Sequence, residues 1–192
     1  MKRASYLLII ATVILAAGCG GGGTQYRDAS KAKGSMEWGP KEVKTTVNKM
    51  VVSLYTYLKN DWKKPAIIQV KKIRNRTSEH IDTKMLANEL VNNLIQKRIM
   101  FIDPTHTKDA IEEMSKGMSG LIDPDSAIPT GALKSPNVYL YGEISDNVRF
   151  VGGKRIQYLV VTMKLSSLRT GMLLWQNQKE FLKATSTERI SF

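Results

Sequence analysis

The sequence predicts an α+β fold, in which one mixed sheet of about five strands is flanked by about three helices. Two observations indicate it. Beyond residue 38, apolar residues first recur at helical spacing and then form short runs that alternate with further helical segments. In the last third of the chain the period changes to two, which is typical of strands. The 192 residues suffice for one domain whose core needs no disulfide.

Residues 1–18 have the organisation of an export signal. Lys2 and Arg3 precede an apolar run from Tyr6 to Leu15, and small residues follow it. The run is too short to span a bilayer as a stable anchor. We therefore predict that this segment is a signal peptide.

Cys19 is the only cysteine, and it follows this segment directly. A lone cysteine in an exported protein cannot form an internal disulfide. The segment resembles a bacterial lipoprotein signal, which implies cleavage after Gly18 and acylation of Cys19, although Ala16 stands where a larger aliphatic residue is usual. A cleaved signal without lipid and an uncleaved anchor are the alternatives. Because no aspartate follows Cys19, the analogy with sorting signals favours the outer membrane, with the protein on its periplasmic side.

The chain is strongly basic, with a formal net charge of +12. Without Lys2 and Arg3, 27 basic side chains remain against 17 acidic ones. An exported protein does not meet nucleic acid. The excess of basic side chains would therefore attract acidic proteins or anionic envelope polymers, or form a solvated surface without a partner. We expect membrane attachment through Cys19 and no nucleic-acid partner.

Four segments are predicted: the signal peptide 1–18, a lipidated flexible tether 19–37, a globular domain 38–183 and a C-terminal tail 184–192. Apolar spacing from Pro40 to Lys59 predicts the first helix, with Pro40 in its first turn. The other elements are a strand at 65–73, a helix around residues 85–95, a parallel strand at 98–103, and a third helix at about 107–118. The third helix is expected to point four residues inward: Ala110, Ile111, Met114 and Met118.

Three antiparallel strands are predicted to close the domain. Gly152 and Gly153 accept the positive φ angles of a tight hairpin, and Thr170-Gly171 marks a second turn. On the central strand, apolar residues point to both sides, so we expect both of its faces to be covered. One side carries Leu159, Val161, Met163 and Leu165, and the other carries Ile156, Tyr158 and Val160.

The stretch IRNRTSEHID, residues 73–82, has the highest density of polar groups. Ser78, His80 and Asp82 contain the residue types of a catalytic triad, but triads form from separate segments, so we predict no enzyme activity here. Two histidines and one cysteine do not make a zinc site. We therefore expect no metal, no cofactor and no small-molecule substrate.

The same stretch has a structural explanation at its ends. Asp82 is predicted to cap the following helix, with Ile81 and Leu86 as a hydrophobic staple, and Ile73 to end the strand. The exposed crossing between them is either a connector or a partner-binding segment. Its candidate residues are Arg74, Asn75, Arg76, Thr77, Ser78, Glu79 and His80.

From Trp38 to about Lys183 the chain resembles the LpoB family of lipoprotein activators. The resemblance lies in the order of MEWGPKEV, NRTSEHIDTKML, ELVNNLIQK, VYLYGEIS and TGMLLWQNQKEF. It implies a domain whose fold is similar to the N-terminal domain of TolB. It also implies that this protein binds and activates a bifunctional penicillin-binding protein without being an enzyme. The tether is shorter than in enteric relatives. The alternative is an accessory or structural lipoprotein of another envelope assembly, such as a secretion pore or flagellar part.

Overall fold

The computed structural model describes residues 37–186. The predicted signal peptide, Cys19 and nearly all of the predicted tether therefore lie outside the described residues, as does the tail from residue 187 onward. The described part contains three α-helices and five strands. In chain order these are α1 (Pro40–Tyr57), β1 (Ile67–Arg76), α2 (Thr83–Ile95), β2 (Met100–Phe101), α3 (Pro104–Met118), β3 (Val138–Val151), β4 (Lys154–Ser167) and β5 (Leu173–Ser186).

One sheet contains all five strands in the order β2-β1-β3-β4-β5. β1 is parallel to both β2 and β3, whereas β3, β4 and β5 form an antiparallel meander. Gly152 and Gly153 have φ angles of 55° and 70° and form the first hairpin turn. The predicted α+β fold is therefore confirmed, with its parallel strand-helix-strand unit and its closing meander.

The core lies on one face of the sheet, beneath α1 and α2. Both helices bury an apolar stripe at three- and four-residue spacing against it. Their largest fully buried side chains are Met50, Leu54, Leu86, Leu90 and Leu94. On β3 and β4, alternate residues complete this core, among them Leu140, Ile144, Leu159, Val161, Met163 and Leu165.

The opposite face of the sheet is open, which makes one prediction wrong. Tyr158 is 42% exposed, and Ile156 and Val160 are only partly buried. These three residues point away from both core helices, so the second face of β4 is not covered. Its apolar residues contact neighbouring strands instead: Tyr158 lies between Asn147 and Leu182 in the strand register.

α3 also differs from the prediction, since no residue in it is buried. Ile111 is 51% exposed and Met118 is 66% exposed, while Ala110 and Met114 are half-buried. The expected burial of these four residues in the core is therefore wrong. The reason is the length of β2: a strand of two residues at the edge of the sheet leaves no sheet surface for the following helix to cover.

Two strands are longer than predicted. β1 continues past Ile73 to Arg76, after an irregularity between Val70 and Ile73 in its pairing with β3. β5 ends at Ser186 and so includes the first residues of the predicted tail. Strand pairing explains both, because β3 and β4 are each 14 residues long and offer partners along their whole length.

Asn137 joins the starts of the parallel strands. Its side-chain Oδ1 accepts from the Ile67 N–H at 2.9 Å, and its Nδ2 donates to the Pro65 carbonyl at 2.8 Å. Its backbone N–H donates to the Ile67 carbonyl at 3.0 Å, and its own carbonyl accepts from Leu168 at 3.0 Å. This residue thus fixes the register of β1 on β3.

Gly142 makes the closest approach between β3 and β4. A Cβ at this position would lie 2.4 Å from the Thr162 carbonyl oxygen and 2.6 Å from Met163 Sδ. The Met163 side chain therefore lies across the glycine, and only a residue without a side chain fits.

Candidate partner-binding site

The candidate segment begins within β1, where two arginines lie on the open face of the sheet. Arg74 and Arg76 pair with the same carboxylate: their nitrogens lie 3.5 Å and 3.4 Å from Glu143 Oε2. Both arginine side chains remain 60% exposed. Ion pairs of this exposure contribute little to stability, so the arginines are available to a second carboxylate.

Asn75 and Thr77 shape the turn that leaves β1. Asn75 Oδ1 accepts from the Thr77 N–H at 3.0 Å and from its hydroxyl at 2.8 Å. Asn75 Nδ2 donates to the Glu79 carbonyl at 2.7 Å. A short polar side chain that binds the backbone two residues further on is the Asx-turn arrangement, so these two residues hold the turn rather than present free groups.

Ser78 attaches the turn to the meander. Its hydroxyl donates to Asp146 Oδ2 at 2.8 Å, and its N–H points at the same carboxylate. Gln157, which is fully buried, also donates to Asp146 Oδ2, at 2.8 Å. The Ser78 side chain therefore acts in the fold, with Asp146 at the centre of a small polar network.

Glu79 attaches the turn to the start of the domain. Its Oε2 accepts from the Trp38 N–H at 3.1 Å, and its Oε1 lies 3.5 Å from the guanidinium of Arg155. The Glu79 side chain is only 13% exposed. Because a buried carboxylate needs such partners, this residue is a structural anchor.

The catalytic hypothesis for this stretch finds no support in the geometry. The Ser78 hydroxyl donates to Asp146 and not to His80, which is exposed. Asp82 caps α2, because its Oδ1 accepts from the N–H groups of Lys84 and Met85 at 2.9 Å and 3.1 Å. Ile81 and Leu86 are both buried in the core, as the predicted staple requires.

The structure thus divides the seven candidate residues. Asn75, Thr77, Ser78 and Glu79 are occupied within the domain, and Arg74, Arg76 and His80 present exposed groups. The partners Glu143, Asp146, Arg155 and Gln157 were not found from the sequence. All four lie on β3 and β4. Asp146 is 68 positions from Ser78 and Arg155 is 76 positions from Glu79, so no local pattern points to these contacts.

Residues 37–186 do not contain the side-chain arrangements of two other kinds of site. No group of three or more His, Cys, Asp or Glu side chains there is arranged to hold a metal ion. No helix in the same range has the length and apolar character needed to cross a membrane.

Comparison with known sequence families shows which family this domain belongs to. A sequence model described as peptidoglycan-synthase activator LpoB matches residues 41–181, which is most of the chain. The chain belongs to the LpoB family. Members of this family are activators rather than catalysts, and the match spans α1 through most of β5, so the candidate segment lies inside it.

The solved structures that this chain is similar to include two LpoB C-terminal domains. The one from Salmonella enterica is 18% identical, with a TM-score of 0.40, and the match covers 70% of this chain and 94% of that one. The one from Escherichia coli is 17% identical, with a TM-score of 0.43, and covers 69% and 94%. The lipoprotein GNA1162 from Neisseria meningitidis is 15% identical, with a TM-score of 0.37, and covers 62% and 84%. A search of curated proteins found no match.

Proposed function

We propose that this protein is an outer-membrane lipoprotein that binds and activates a peptidoglycan synthase, a bifunctional penicillin-binding protein. Membership of the LpoB family over residues 41–181 carries this proposal. Lipidation of Cys19 after cleavage behind Gly18 would hold the domain on the periplasmic side. The domain itself supplies binding energy and no chemistry.

Activation by such a domain is allosteric. The domain raises the activity of the synthase only if it binds the active conformation more tightly than the inactive one. Addition of the purified protein should therefore increase glycan polymerisation by the synthase in proportion to complex formation. An unchanged rate at saturating complex would contradict the activator role.

The docking surface proposed here includes Arg74, Arg76 and His80. The two arginines share one carboxylate and keep most of their surface, which suits recognition of an acidic patch. Reversal of both charges (Arg74→Glu with Arg76→Glu) should weaken capture of the synthase without unfolding the domain. The melting temperature should fall slightly, because two glutamates would then lie beside Glu143. Arg169 and Lys134 are exposed in loops, so Arg169→Glu with Lys134→Glu is the matched control. Equal capture by the two double variants would refute this surface.

Lipid attachment and the partner are tested in cells. Cys19→Ser should abolish palmitate incorporation and release the protein from the outer-membrane fraction, whereas retained palmitate would contradict acylation at Cys19. Crosslinking of the acylated protein should recover a penicillin-binding protein. Recovery of secretion or flagellar components alone would instead favour the accessory role in another envelope assembly.

A further inference from the structure

β1 has an unpaired side. Pairing with β2 involves only Ile67 and Ile68, although β1 runs on to Arg76. Within the range 37–186, no other strand pairs with this side of β1. The Ile68 carbonyl accepts from the Ile102 N–H at 2.9 Å, and the alternation of peptide groups along a strand directs those of Val70 to the same side. In the described part of the chain, the peptide groups of Val70 have no strand partner on this side, and unpaired backbone groups at a sheet edge are a template for another strand.

A groove runs along this side of β1, bordered by α2. It has a volume of about 750 Å³ and mainly apolar walls. We call it the edge groove, and its apolar lining includes Val70, Ile73, Ala87, Val91, Ile95 and Phe101. The three residues from α2 recur every four positions and so form one face of that helix. Ile95 is 53% exposed, which leaves an apolar surface uncovered beside unpaired backbone.

The rim of the edge groove is basic. Lys71, Lys72 and Lys84 border it, and all three are exposed. The Lys71 ammonium lies 4.2 Å from the centre of the Tyr139 ring, so Lys72 and Lys84 are the cations most accessible from the groove. Asp103 is the acidic residue in the lining, and its Oδ1 is occupied by the Thr105 N–H at 2.8 Å. The groove therefore suits an acidic occupant. A second copy of this chain would bring the same lysines to the contact, and lysines on an edge strand oppose such self-pairing.

We propose that the edge groove binds an extended, acidic peptide segment of a partner protein, which adds to the sheet as a strand beside β1. Backbone hydrogen bonds to β1 would supply affinity, while alternate apolar side chains enter the groove and acidic ones meet the lysines. This surface is separate from Arg74, Arg76 and His80, and the proposal does not require the partner to be a synthase.

The first test uses a fluorescent synthetic peptide of alternating valine and glutamate, with the full-length protein in detergent micelles. The peptide should bind, as measured by fluorescence anisotropy, and should slow hydrogen exchange at the β1 amides. The same peptide methylated at every second backbone nitrogen, and a valine–lysine peptide, should bind at least about tenfold more weakly, because each loses one kind of contact. Equal binding by the methylated peptide, or no binding by the parent peptide, would overturn the proposal.

Variants of the rim provide the second test. Lys72→Glu with Lys84→Glu should weaken peptide binding by about tenfold, because two attractive charge pairs become repulsive. Lys49 and Lys154 are exposed elsewhere, on α1 and β4, so Lys49→Glu with Lys154→Glu keeps the net charge equal and should leave binding unchanged. Equal affinities of the two double variants would refute the role of the rim. Concentration-dependent dimers that Ile95→Glu abolishes would assign the groove to a second copy instead.

Discussion

Ser78 and Gln157 donate to one oxygen of the same carboxylate: each lies 2.8 Å from Asp146 Oδ2. The turn after β1 and the buried side chain of β4 are thereby joined through β3. Asp146→Ala removes the acceptor of both donors and leaves Gln157 buried without it. The free energy of unfolding should fall by about 1–3 kcal/mol, measured by urea denaturation. Asp125, in an exposed loop, provides the control Asp125→Ala, and an equal loss there would contradict this explanation.

The helix caps at Asp82 and Asp103 should differ in their effect on stability. Both carboxylates accept N–H groups of their helices, α2 and α3. Asp82→Ala should lower the free energy of unfolding by about 1 kcal/mol, because α2 packs on the core. Asp103→Ala should mainly increase hydrogen exchange within α3, which buries no residue. Equal changes in global stability would show that α3 is part of the cooperative core.

Gly142 should not tolerate a side chain. Gly142→Ala would place a Cβ 2.4 Å from the Thr162 carbonyl oxygen, so β3 and β4 would have to separate. We expect a loss of about 1–3 kcal/mol, measured by thermal and urea unfolding. Ser145→Ala changes the open face of the same strand and is the control. A neutral effect of Gly142→Ala would mean that the strands can separate at no cost.

The contact between Tyr158 and Glu180 on the open face should make stability depend on pH in the alkaline range. A hydrogen bond to the Glu180 carboxylate raises the pKa of the Tyr158 phenol above 10.0, with smaller contributions from burial and charge. The neutral phenol is therefore favoured in the folded state. Its contribution to stability is complete below the unfolded pKa and is lost as pH rises through the higher folded pKa.

Titration by tyrosinate absorbance measures this shift once the curve of a Tyr158→Phe variant is subtracted, because the chain has seven tyrosines. Glu180→Ala should return the pKa of Tyr158 toward 10.0, while Glu112→Ala on α3 should leave it unchanged. A titration curve that does not respond to Glu180→Ala would show that another group perturbs Tyr158.

The order of elements could be predicted from the sequence because each has a local cause. Asp82 caps α2 and the Gly152-Gly153 pair turns the hairpin through interactions among near neighbours. Whether a face of the sheet is covered by helices depends on residues far away in the sequence. Ile156, Tyr158 and Val160 have the apolar pattern of a buried strand face, and only the placement of both core helices on the other side shows that they remain open.

The candidate site also has some features that the sequence predicts and others that depend on distant residues. The exposed Arg74 and Arg76 could be predicted from a polar crossing between two apolar segments. The roles of Ser78 and Glu79 could not, because their partners Asp146 and Arg155 reach them only through the pairing of β1, β3 and β4. Polar residues that hold a turn and polar residues that meet a partner look alike in a sequence.

Asn137 has a consequence for the way the domain folds. It brings β1 to β3 across 70 positions of chain, whereas β3 and β4 are joined by a turn of two glycines. Closing the longer loop costs more entropy, so we expect the meander to form first and Asn137 to receive β1 afterwards. Asn137→Ala should then speed unfolding and leave the folding rate nearly unchanged, and a slower folding rate would place β1 in the nucleus instead. On this pathway the edge groove is completed last, when β1 has joined the sheet.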